Sequence, residues 1–283
     1  MSGLLDDMAR SSAARVAQAL RHESAAALER RARQMAPCAP LRLSALGFDV
    51  IAELKLRSPA AGRLGDESQD WLGRVAAYAH GGAAAVSVLT EPSRFDGSLE
   101  HLRRAAQVLA PLGVPAMRKD FLVDPYQVLE ARAAGAGGVL VILRMLTRAR
   151  ILELLDVAAE HGMFVLLEAF DEVDLETARD LMASRRQHRD DHPAVARDQV
   201  LIGVNSRDLQ TLEVVQERFT QLAPLLPAGW PAVAESGVAS GLDARHMQQL
   251  GYGLALIGTA LMAREDPSQL IREIFNATRT VQP

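Results

Sequence analysis

The chain has 283 residues, of which 49% are hydrophobic and 23% charged, and its formal net charge is -4 without a long run of one sign. This balance is typical of a globular protein and argues against a general nucleic-acid binder, which would present a basic face, although a local basic pocket remains compatible with it. The single cysteine, Cys38, allows no intramolecular disulfide, and no apolar run reaches the ~20 residues that cross a bilayer. With early acidic residues and no apolar signal core at the N-terminus, we expect a cytosolic enzyme.

The first periodic segment runs from about Leu4 to Met35, where apolar residues recur at helical spacing. Pro37 and Pro40 end this segment. We therefore expect a pair of helices, and we interpret residues 1–45 as an N-terminal helical extension before the main fold.

Beyond this extension, short apolar runs alternate with amphipathic stretches. The predicted strands are 49–54, 84–89, 115–118, 138–143, 164–168, 201–205, 232–235 and 254–257, and the helices between or after them include 98–109, 126–134, 147–161, 242–250 and 267–278. Eight strands alternating with helices indicate a parallel sheet closed into a barrel. The predicted fold class is α/β, a (β/α)₈ TIM barrel with an N-terminal helical extension, as a single domain over residues 1–283.

An open doubly wound sheet is the structural alternative, and it usually carries a glycine-rich turn after its first strand. Here the first strand runs instead into residues 55–59 (KLRSP). The glycine-rich residues 135–138 precede a strand, which is typical of a helix C-cap and loop rather than of a nucleotide-binding turn.

Residues 184–199 (SRRQHRDDHPAVARDQ) interrupt the pattern with charged, irregular sequence. They follow the fifth helix and precede the sixth strand, so we expect a solvated insertion on the bottom face of the barrel. His188 and His192 are four residues apart, but Pro193 follows directly and no helix is evident, so we expect no metal site there.

Polar residues recur where the predicted strands end, at the face where barrels carry their chemistry. In strand order these are Glu53 and Lys55, Thr90 and Glu91, Arg118, Lys119 and Asp120, Glu168, Asn205, Ser206 and Arg207, Glu235, Ser236 and Gly237, and Gly258 and Thr259. A charged residue at one strand end is usually an exit to solvent, whereas two lysines and three glutamates around one mouth would shift each other's pKa values and suit acid–base chemistry.

The ends of the seventh and eighth strands carry small residues, Ser236-Gly237 and Gly258-Thr259. Their backbone N–H groups can approach an anion closely, and barrels frequently bind phosphate at these two loops. The alternative is an ordinary glycine turn at each position. We predict a phosphate site because both positions fall at the expected strands.

Five segments carry recognisable motifs: 51–59 (IAELKLRSP), 87–102 (SVLTEPSRFDGSLEHL), 118–136 (RKDFLVDPYQVLEARAAGA), 201–214 (LIGVNSRDLQTLEV) and 234–238 (AESGV). They resemble the signature sequences of the indole-3-glycerol phosphate synthase family of tryptophan biosynthesis. The resemblance covers about residues 4–272 and implies ring closure, decarboxylation and dehydration of 1-(2-carboxyphenylamino)-1-deoxyribulose 5-phosphate. It implies no cofactor and no metal, a small phosphorylated substrate as the partner, and no nucleic acid or membrane; a monomer is the default expectation.

The resemblance also implies residue roles. Lys119 would be the general acid for ring closure, and Lys55 would contact the substrate carboxylate or act as the acid in dehydration. Glu53 and Glu168 would stabilise a cationic intermediate or take protons. The remaining implied roles are orientation by Asn205, Arg207 and Glu235, phosphate binding by Ser236, Gly237, Gly258 and Thr259 with Lys55 and Ser58 nearby, and an apolar anthranilate pocket walled by Phe95 and Phe121, for which ordinary core packing is the alternative.

Lys119 follows Arg118 at the end of an apolar strand, in a mouth that also holds Lys55. Neighbouring positive charge and partial burial both lower the pKa of a lysine, so we predict a lowered pKa for Lys119. The alternative is a structural lysine paired with Asp120 or Glu168.

The chain departs from the family pattern at Ala60 and Ala61, at Ser206 in place of a second asparagine, and at Ala169-Phe170 after Glu168. These changes leave the predicted acids and bases in place. Two other functions stay open at this point: a phosphate-binding barrel isomerase such as phosphoribosylanthranilate isomerase, and a non-catalytic phosphate-ligand-binding paralogue. The isomerase would need a cysteine at a strand end, and Cys38 precedes the barrel.

Overall fold

The computed structural model describes residues 3–45, 47–58, 62–63, 70–187, 199–209 and 211–279, with the backbone alone at residues 58, 63 and 187. Eight parallel strands close into a barrel: β1 Asp49–Leu54, β2 Ala85–Leu89, β3 Ala116–Lys119, β4 Gly138–Ile142, β5 Phe164–Ala169, β6 Val200–Asn205, β7 Ala232–Glu235 and β8 Leu254–Ile257. Parallel pairing of β1 with β8 completes the ring. The predicted (β/α)₈ barrel is confirmed.

Helices follow the strands and surround the barrel. Within the described ranges they are α1 Leu4–His22, α2 Ala25–Gln34, α3 Trp71–Gly81, α4 Pro92–Phe95, α5 Leu99–Leu109, α6 Pro125–Ala133, α7 Arg148–Glu160, α8 Glu172–Gln187, α9 Glu217–Leu222, α10 Gly241–Gln249, α11 Thr259–Met262 and α12 Pro267–Arg279. A short antiparallel hairpin, Arg57–Ser58 with Gly62–Arg63, follows β1. None of the helices in the described part of the chain has the length and hydropathy that a membrane span requires.

The barrel strands are buried on both faces, as the helices around a parallel barrel require. Alternate residues point inward, where Ile51, Met117, Leu166 and Leu256 belong to an interior cluster. The residues between them, such as Val50 and Val165, pack against the surrounding helices. The inward positions nearest the carboxyl ends are therefore directed toward the mouth of the barrel.

The two N-terminal helices are anchored on the β3–α6 side of the barrel. The guanidinium of Arg15 in α1 donates two hydrogen bonds, of 2.8 and 2.7 Å, to the carboxylate of Asp120. The side-chain amide of Gln127 donates to Oγ of Ser12 at 2.8 Å. Leu28 of α2 is buried in a cluster that includes residues of α6. These contacts fix the extension against the barrel, with its first residues at the mouth.

The prediction of irregular structure from residue 184 onward is wrong for the first four residues, because α8 continues to Gln187. Its last turn is held by two arginines: Arg185 donates to Asp156 at 2.7 Å, and Arg186 donates to the carbonyl oxygen of Ala228 at 2.9 Å. Residues 188–198, with His188 and His192, lie outside the described residues, so the bottom-face insertion stays a prediction.

Candidate active site

A cavity of about 540 Å³ lies at the carboxyl ends of the barrel strands. The strand-to-helix loops meet there, and barrel enzymes carry their reactive groups at this end. The sequence-predicted site residues that line it are Glu53, Lys55, Phe95, Lys119, Phe121, Glu168, Asn205, Arg207, Glu235, Ser236, Gly237, Gly258 and Thr259. The side chain of Ser58 lies outside the described residues, so a role for Ser58 stays a prediction.

Glu53 lies between two lysines in this cavity. Its Oε1 is 2.8 Å from Nζ of Lys55, and its Oε2 is 4.0 Å from Nζ of Lys119. Nζ of Lys119 is also 4.0 Å from Oε1 of Glu168. Burial would raise the pKa of Glu53, but the charges of Lys55 and Lys119 outweigh it and hold the pKa below its usual value. Glu53 is therefore a carboxylate at neutral pH.

The pKa of Lys119 is raised, so the prediction of a lowered value is wrong. Burial by itself would lower the pKa, but the carboxylates of Glu168, Glu53 and Glu235 outweigh that effect. Each of these carboxylates comes from a different strand, and their distances to one lysine are not visible in the sequence. Lys119 is consequently an ammonium group over the whole neutral pH range.

Arg118 is not among the main contributors to the pKa of Lys119, because consecutive residues of β3 point to opposite faces of the strand. Its guanidinium lies behind the barrel wall, where Nη2 donates to Asp120 at 3.0 Å and Nη1 donates to the carbonyl oxygen of Gln127 at 2.8 Å. Asp120 also accepts a hydrogen bond of 2.8 Å from Oγ1 of Thr90. Asp120 therefore pairs with Arg118 and with Arg15 of α1, and the predicted alternative of a Lys119–Asp120 pair is not what the structure shows.

Asn205 orients Glu168 from the neighbouring strand. Its Nδ2 donates to Oε1 of Glu168 at 2.7 Å. The orientation of the amide is itself fixed, because Oδ1 of Asn205 accepts from Oγ of Ser236 at 3.0 Å and from the backbone N–H of Arg207 at 3.0 Å. A side chain with both a donor and two used acceptor positions cannot flip without breaking these bonds.

Glu235 is buried, and neither of its carboxyl oxygens makes a hydrogen bond among the described residues. Burial raises its pKa well above the usual value, and the neighbouring Glu168 carboxylate raises it further. Gly203 provides the space, because a Cβ at that position would lie 2.1 Å from Oε1 of Glu235. The sequence identified Glu235 but gave no indication that Gly203 accommodates it.

We expect Glu235→Gln to raise the melting temperature by about 2–4 °C at pH 8 while lowering kcat. The pKa of Glu235 is raised in the fold, so the wild-type protein loses stability as pH rises above 4.5, where the unfolded chain ionises first. Glutamine removes this ionisation. The difference in melting temperature between variant and wild type should therefore grow as pH rises from 4.5 toward the folded pKa. Melting curves across pH test this, and equal or lower stability of the variant at pH 8 would contradict it.

Gly258 has a role beyond a small-residue turn. A Cβ at this position would lie 2.3 Å from Oε1 of Glu53 and 3.2 Å from Nζ of Lys55. Glycine therefore leaves the room that the Glu53–Lys55 pair occupies. The sequence-based interpretation placed Gly258 at a phosphate and missed its packing against the ion pair. Gly258 follows β8 and the ion pair lies at the end of β1, and these strands become neighbours only when the barrel closes.

Ser236 and Gly237 adopt consecutive left-handed conformations, with φ of 67° and 85°. Ser236 is unusual in this region for a residue with a side chain, and its hydroxyl group donates to Asn205. Nε2 of Gln216 donates to the carbonyl oxygen of Gly237 at 2.8 Å and fixes the turn from outside. Turns that present successive backbone N–H groups form concave anion sites.

The loop after β6 is held by Arg207, whose Nη1 donates to the carbonyl oxygen of Leu212 at 2.6 Å. Leu212 has a positive φ of 63°, and the loop returns to pair Val214 with Arg207. Arg207 also contributes to lowering the pKa of Glu53. It thus shapes the loop as well as the charge of the site, and Leu212 and Val214 line the cavity.

One wall of the cavity is apolar. The rings of Phe95 and Phe121 lie 6.2 Å apart between centroids, tilted by 39°. Leu4 and Leu5 of α1 also line the cavity. The contribution of the N-terminal helix was missed in the sequence, because two leucines at the start of an amphipathic helix carry no signal for the surface they contact.

The fold and the site define a (β/α)₈-barrel protein with a cluster of lysines and carboxylates at the catalytic face. Solved barrels of low sequence identity share the fold alone. Thiamine phosphate pyrophosphorylase from Pyrococcus furiosus superimposes with a TM-score of 0.55 at 15% identity, over 81% of this chain and 95% of the other. 3-Hexulose-6-phosphate synthase from Salmonella typhimurium superimposes with a TM-score of 0.56 at 12% identity, over 81% of this chain and 97% of the other.

Sequence comparison is more specific. The indole-3-glycerol phosphate synthase family model matches residues 5–274. Indole-3-glycerol phosphate synthase from a Parafrankia species is 40% identical over 83% of this chain and 80% of its own length. The enzyme of that name from Koribacter versatilis is 36% identical over 97% of this chain and 98% of its own length. The chain belongs to the indole-3-glycerol phosphate synthase family.

Proposed function

We propose that this protein converts 1-(2-carboxyphenylamino)-1-deoxyribulose 5-phosphate into indole-3-glycerol phosphate, carbon dioxide and water. Family membership supports the choice of substrate. The observation that carries the chemistry is one cavity in which Lys55 and Lys119 lie among the carboxyl groups of Glu53, Glu168 and Glu235, of which Glu53 is held ionised and Glu235 has a raised pKa. Such a cluster supplies both proton donors and anions to a reaction that needs both.

In the proposed ring closure, the ring carbon that carries the carboxylate attacks the ketone carbon of the substrate. The ammonium group of Lys119 donates a proton to the ketone oxygen as the new carbon–carbon bond forms. The raised pKa keeps this group protonated, so its charge also stabilises the oxygen as negative charge develops. The carboxylate then leaves as carbon dioxide, and the electron pair of that bond neutralises the cationic ring system.

In the proposed dehydration, the hydroxyl group that came from the ketone leaves as water, with Lys55 as the acid. A carboxylate takes the proton that is lost as the indole double bond forms. Glu53 and Glu168 are the candidates for this base, and Asn205 holds the Glu168 carboxylate in place. Glu53 remains ionised because of its two lysine neighbours, which suits it to stabilise a cation.

The test is an assay of the purified protein with the carboxyphenylamino-deoxyribulose phosphate. The proposal expects indole absorbance and fluorescence to appear with release of one carbon dioxide per product. Phosphoribosylanthranilate serves as the second substrate. Conversion of that compound without carbon dioxide, and no reaction with the first, would support the isomerase alternative instead. The Cys38 thiol donates to the carbonyl oxygen of Ala136 at 3.3 Å and is not among the residues that line the cavity.

We further propose that the Ser236–Gly237 turn and the Gly258–Thr259 segment bind the substrate phosphate. Gly237→Ala should then raise KM about 10-fold or more with a smaller change in kcat, because a Cβ restricts the approach of the phosphate to the backbone. The added Cβ would also lie 2.6 Å from Nε2 of Gln216, so the turn itself would shift.

Gly251→Ala is the matched control for this prediction. Gly251 has a positive φ of 96°, like the 85° of Gly237, but a Cβ there meets no atom within 4 Å. It therefore introduces similar backbone strain away from the cavity. Steady-state kinetics of both variants separate strain from phosphate binding, and equal KM values for Gly237→Ala and the control would refute the phosphate assignment.

We also propose that the protein acts in the cytoplasm, where the charge of a phosphorylated substrate opposes its loss across a bilayer. We further propose that residues 1–283 form one domain, built on the closed barrel.

A further inference from the structure

Glu91 is a buried carboxylate that the chemistry above does not use. It is 1% exposed and is the N-cap of the short helix α4, two residues after the end of β2. Its Oε1 accepts from the backbone N–H of Ser93 at 2.9 Å and from Oγ of Ser93 at 2.6 Å, and its Oε2 accepts from the backbone N–H of Arg94 at 2.7 Å. Among the described residues this carboxylate makes no ion pair within 4 Å, although the guanidinium of Arg15 in α1 interacts with it electrostatically at longer range. Its direct contacts are therefore the three hydrogen bonds from Ser93 and Arg94.

The loop that Glu91 caps is closed tightly against the end of β2. The backbone N–H of Gly97 donates to the carbonyl oxygen of Glu91 at 3.0 Å. A Cβ at Gly97 would lie 2.4 Å from the carbonyl oxygen of Leu89, so only glycine allows this approach. Asp96 turns the chain with a positive φ of 52°. Residues 91–97 thus form a compact turn whose geometry depends on the Glu91 side chain inside it.

Phe95 is the residue that this turn presents to the cavity. It is the last residue of α4 and is partly exposed, and its ring contacts the ring of Phe121 from the loop after β3. Relaxation of the turn would therefore move the ring of Phe95 relative to the ring of Phe121. We call these two rings the aromatic wall. Aromatic contacts lose energy when ring offset and separation change.

We propose that Glu91 is a positioning residue that sets the place of Phe95 and thereby determines the affinity of the site for the aromatic part of the substrate. This inference rests on the proposed function, in which Phe95 and Phe121 enclose the anthranilate ring. Glu91 should affect binding of the anthranilate ring and not binding of the phosphate group. The proposed phosphate loops follow β7 and β8, whereas Glu91 follows β2.

The chain offers a matched control in its own sequence. Glu91 caps α4, which begins Pro92-Ser93, and Asp266 caps α12, which begins Pro267-Ser268. Asp266 accepts from the backbone N–H of Ser268 at 3.0 Å and from its Oγ at 2.6 Å, as Glu91 does from Ser93. Asp266 is not among the cavity-lining residues. Asp266→Ala therefore removes the same kind of cap without touching the aromatic wall.

The experiment measures kcat and KM for the carboxyphenylamino-deoxyribulose phosphate, and the inhibition constants of anthranilate and of inorganic phosphate. Glu91→Ala should raise KM and the anthranilate inhibition constant about 10-fold, because displacement of Phe95 weakens its aromatic contact with the ligand. The phosphate inhibition constant should stay within about 2-fold. Asp266→Ala should change none of the three constants by more than about 2-fold, although its melting temperature falls.

The anthranilate inhibition constants of Phe95→Ala and of the double variant Glu91→Ala/Phe95→Ala decide whether Glu91 acts through Phe95. If it does, the double variant should bind anthranilate no more weakly than Phe95→Ala alone, because the two changes remove one interaction. Additive losses, equal losses of anthranilate and phosphate affinity, or unchanged constants in Glu91→Ala would each overturn the inference. If Glu91→Ala does not fold, Glu91→Gln keeps one acceptor oxygen and should show a smaller loss of the same kind. Absence of indole product from the wild-type protein would instead refute the proposed function.

Discussion

Replacing Lys119 by methionine is expected to lower kcat about 1000-fold, with binding of inorganic phosphate unchanged. Lys119 contributes the ammonium group that lies 4.0 Å from both Glu53 and Glu168. Methionine retains most of the side-chain volume but can neither donate a proton nor stabilise a developing oxyanion. Steady-state kinetics with the phosphorylated substrate, beside phosphate inhibition, give the measurement.

The same variant should also lose stability, which follows from the sign of the pKa shift. The pKa of Lys119 is raised above 10.5, so its charge stabilises the fold fully below that value, and the stabilisation is lost as pH rises through the folded pKa. Lys119→Met removes it at neutral pH and leaves three neighbouring carboxyl groups without that cation. The melting temperature should therefore fall at pH 7. A variant with near-normal kcat would remove Lys119 from the mechanism and make Lys55 the next candidate for the acid.

Replacing Glu53 by glutamine is expected to lower kcat/KM about 100-fold or more. Glu53 contacts Lys55 at 2.8 Å and lies 4.0 Å from Lys119, so the neutral amide leaves two ammonium groups without their shared carboxylate. It also removes an anion from the site where the proposed mechanism places a cationic intermediate. Glu100→Gln on the exposed face of α5 is the control, and its kinetics should match the wild type.

The pH dependence of stability gives Glu53→Gln a second measurement. The pKa of Glu53 is lowered below 4.5, so its ionised form stabilises the fold above 4.5, and this contribution is lost as pH falls through the folded pKa. The variant should therefore melt below the wild type at neutral pH, and the two melting temperatures should converge in acid. A variant with unchanged kcat/KM would show that Glu53 only neutralises the lysines.

The strand and helix pattern was readable because each barrel strand is a short apolar run with glycine or proline nearby. β1, β7 and β8 begin and end at the predicted residues, and the other five differ by one residue at one or both ends. The helix α8 was misjudged at its end, since Arg185 and Arg186 looked like the start of a charged insertion. The helix continues through both arginines, whose side chains donate hydrogen bonds to the Asp156 carboxylate and to the carbonyl oxygen of Ala228.

The residues at the mouth of the barrel could be read from the amino-acid sequence. The predicted strands end at or beside Glu53, Lys119, Glu168 and Glu235, and a closed barrel brings the carboxyl ends of its strands to one mouth. The charge state of that cavity depends on contacts that the sequence does not reveal. The pKa of Lys119 rises rather than falls because Arg118 points away while three acidic side chains from other strands approach. Coulomb interactions depend on distance in space rather than on order in the chain. The space left by Gly203 and Gly258, and the leucines that α1 brings to the cavity, have the same origin: contacts between residues far apart in sequence.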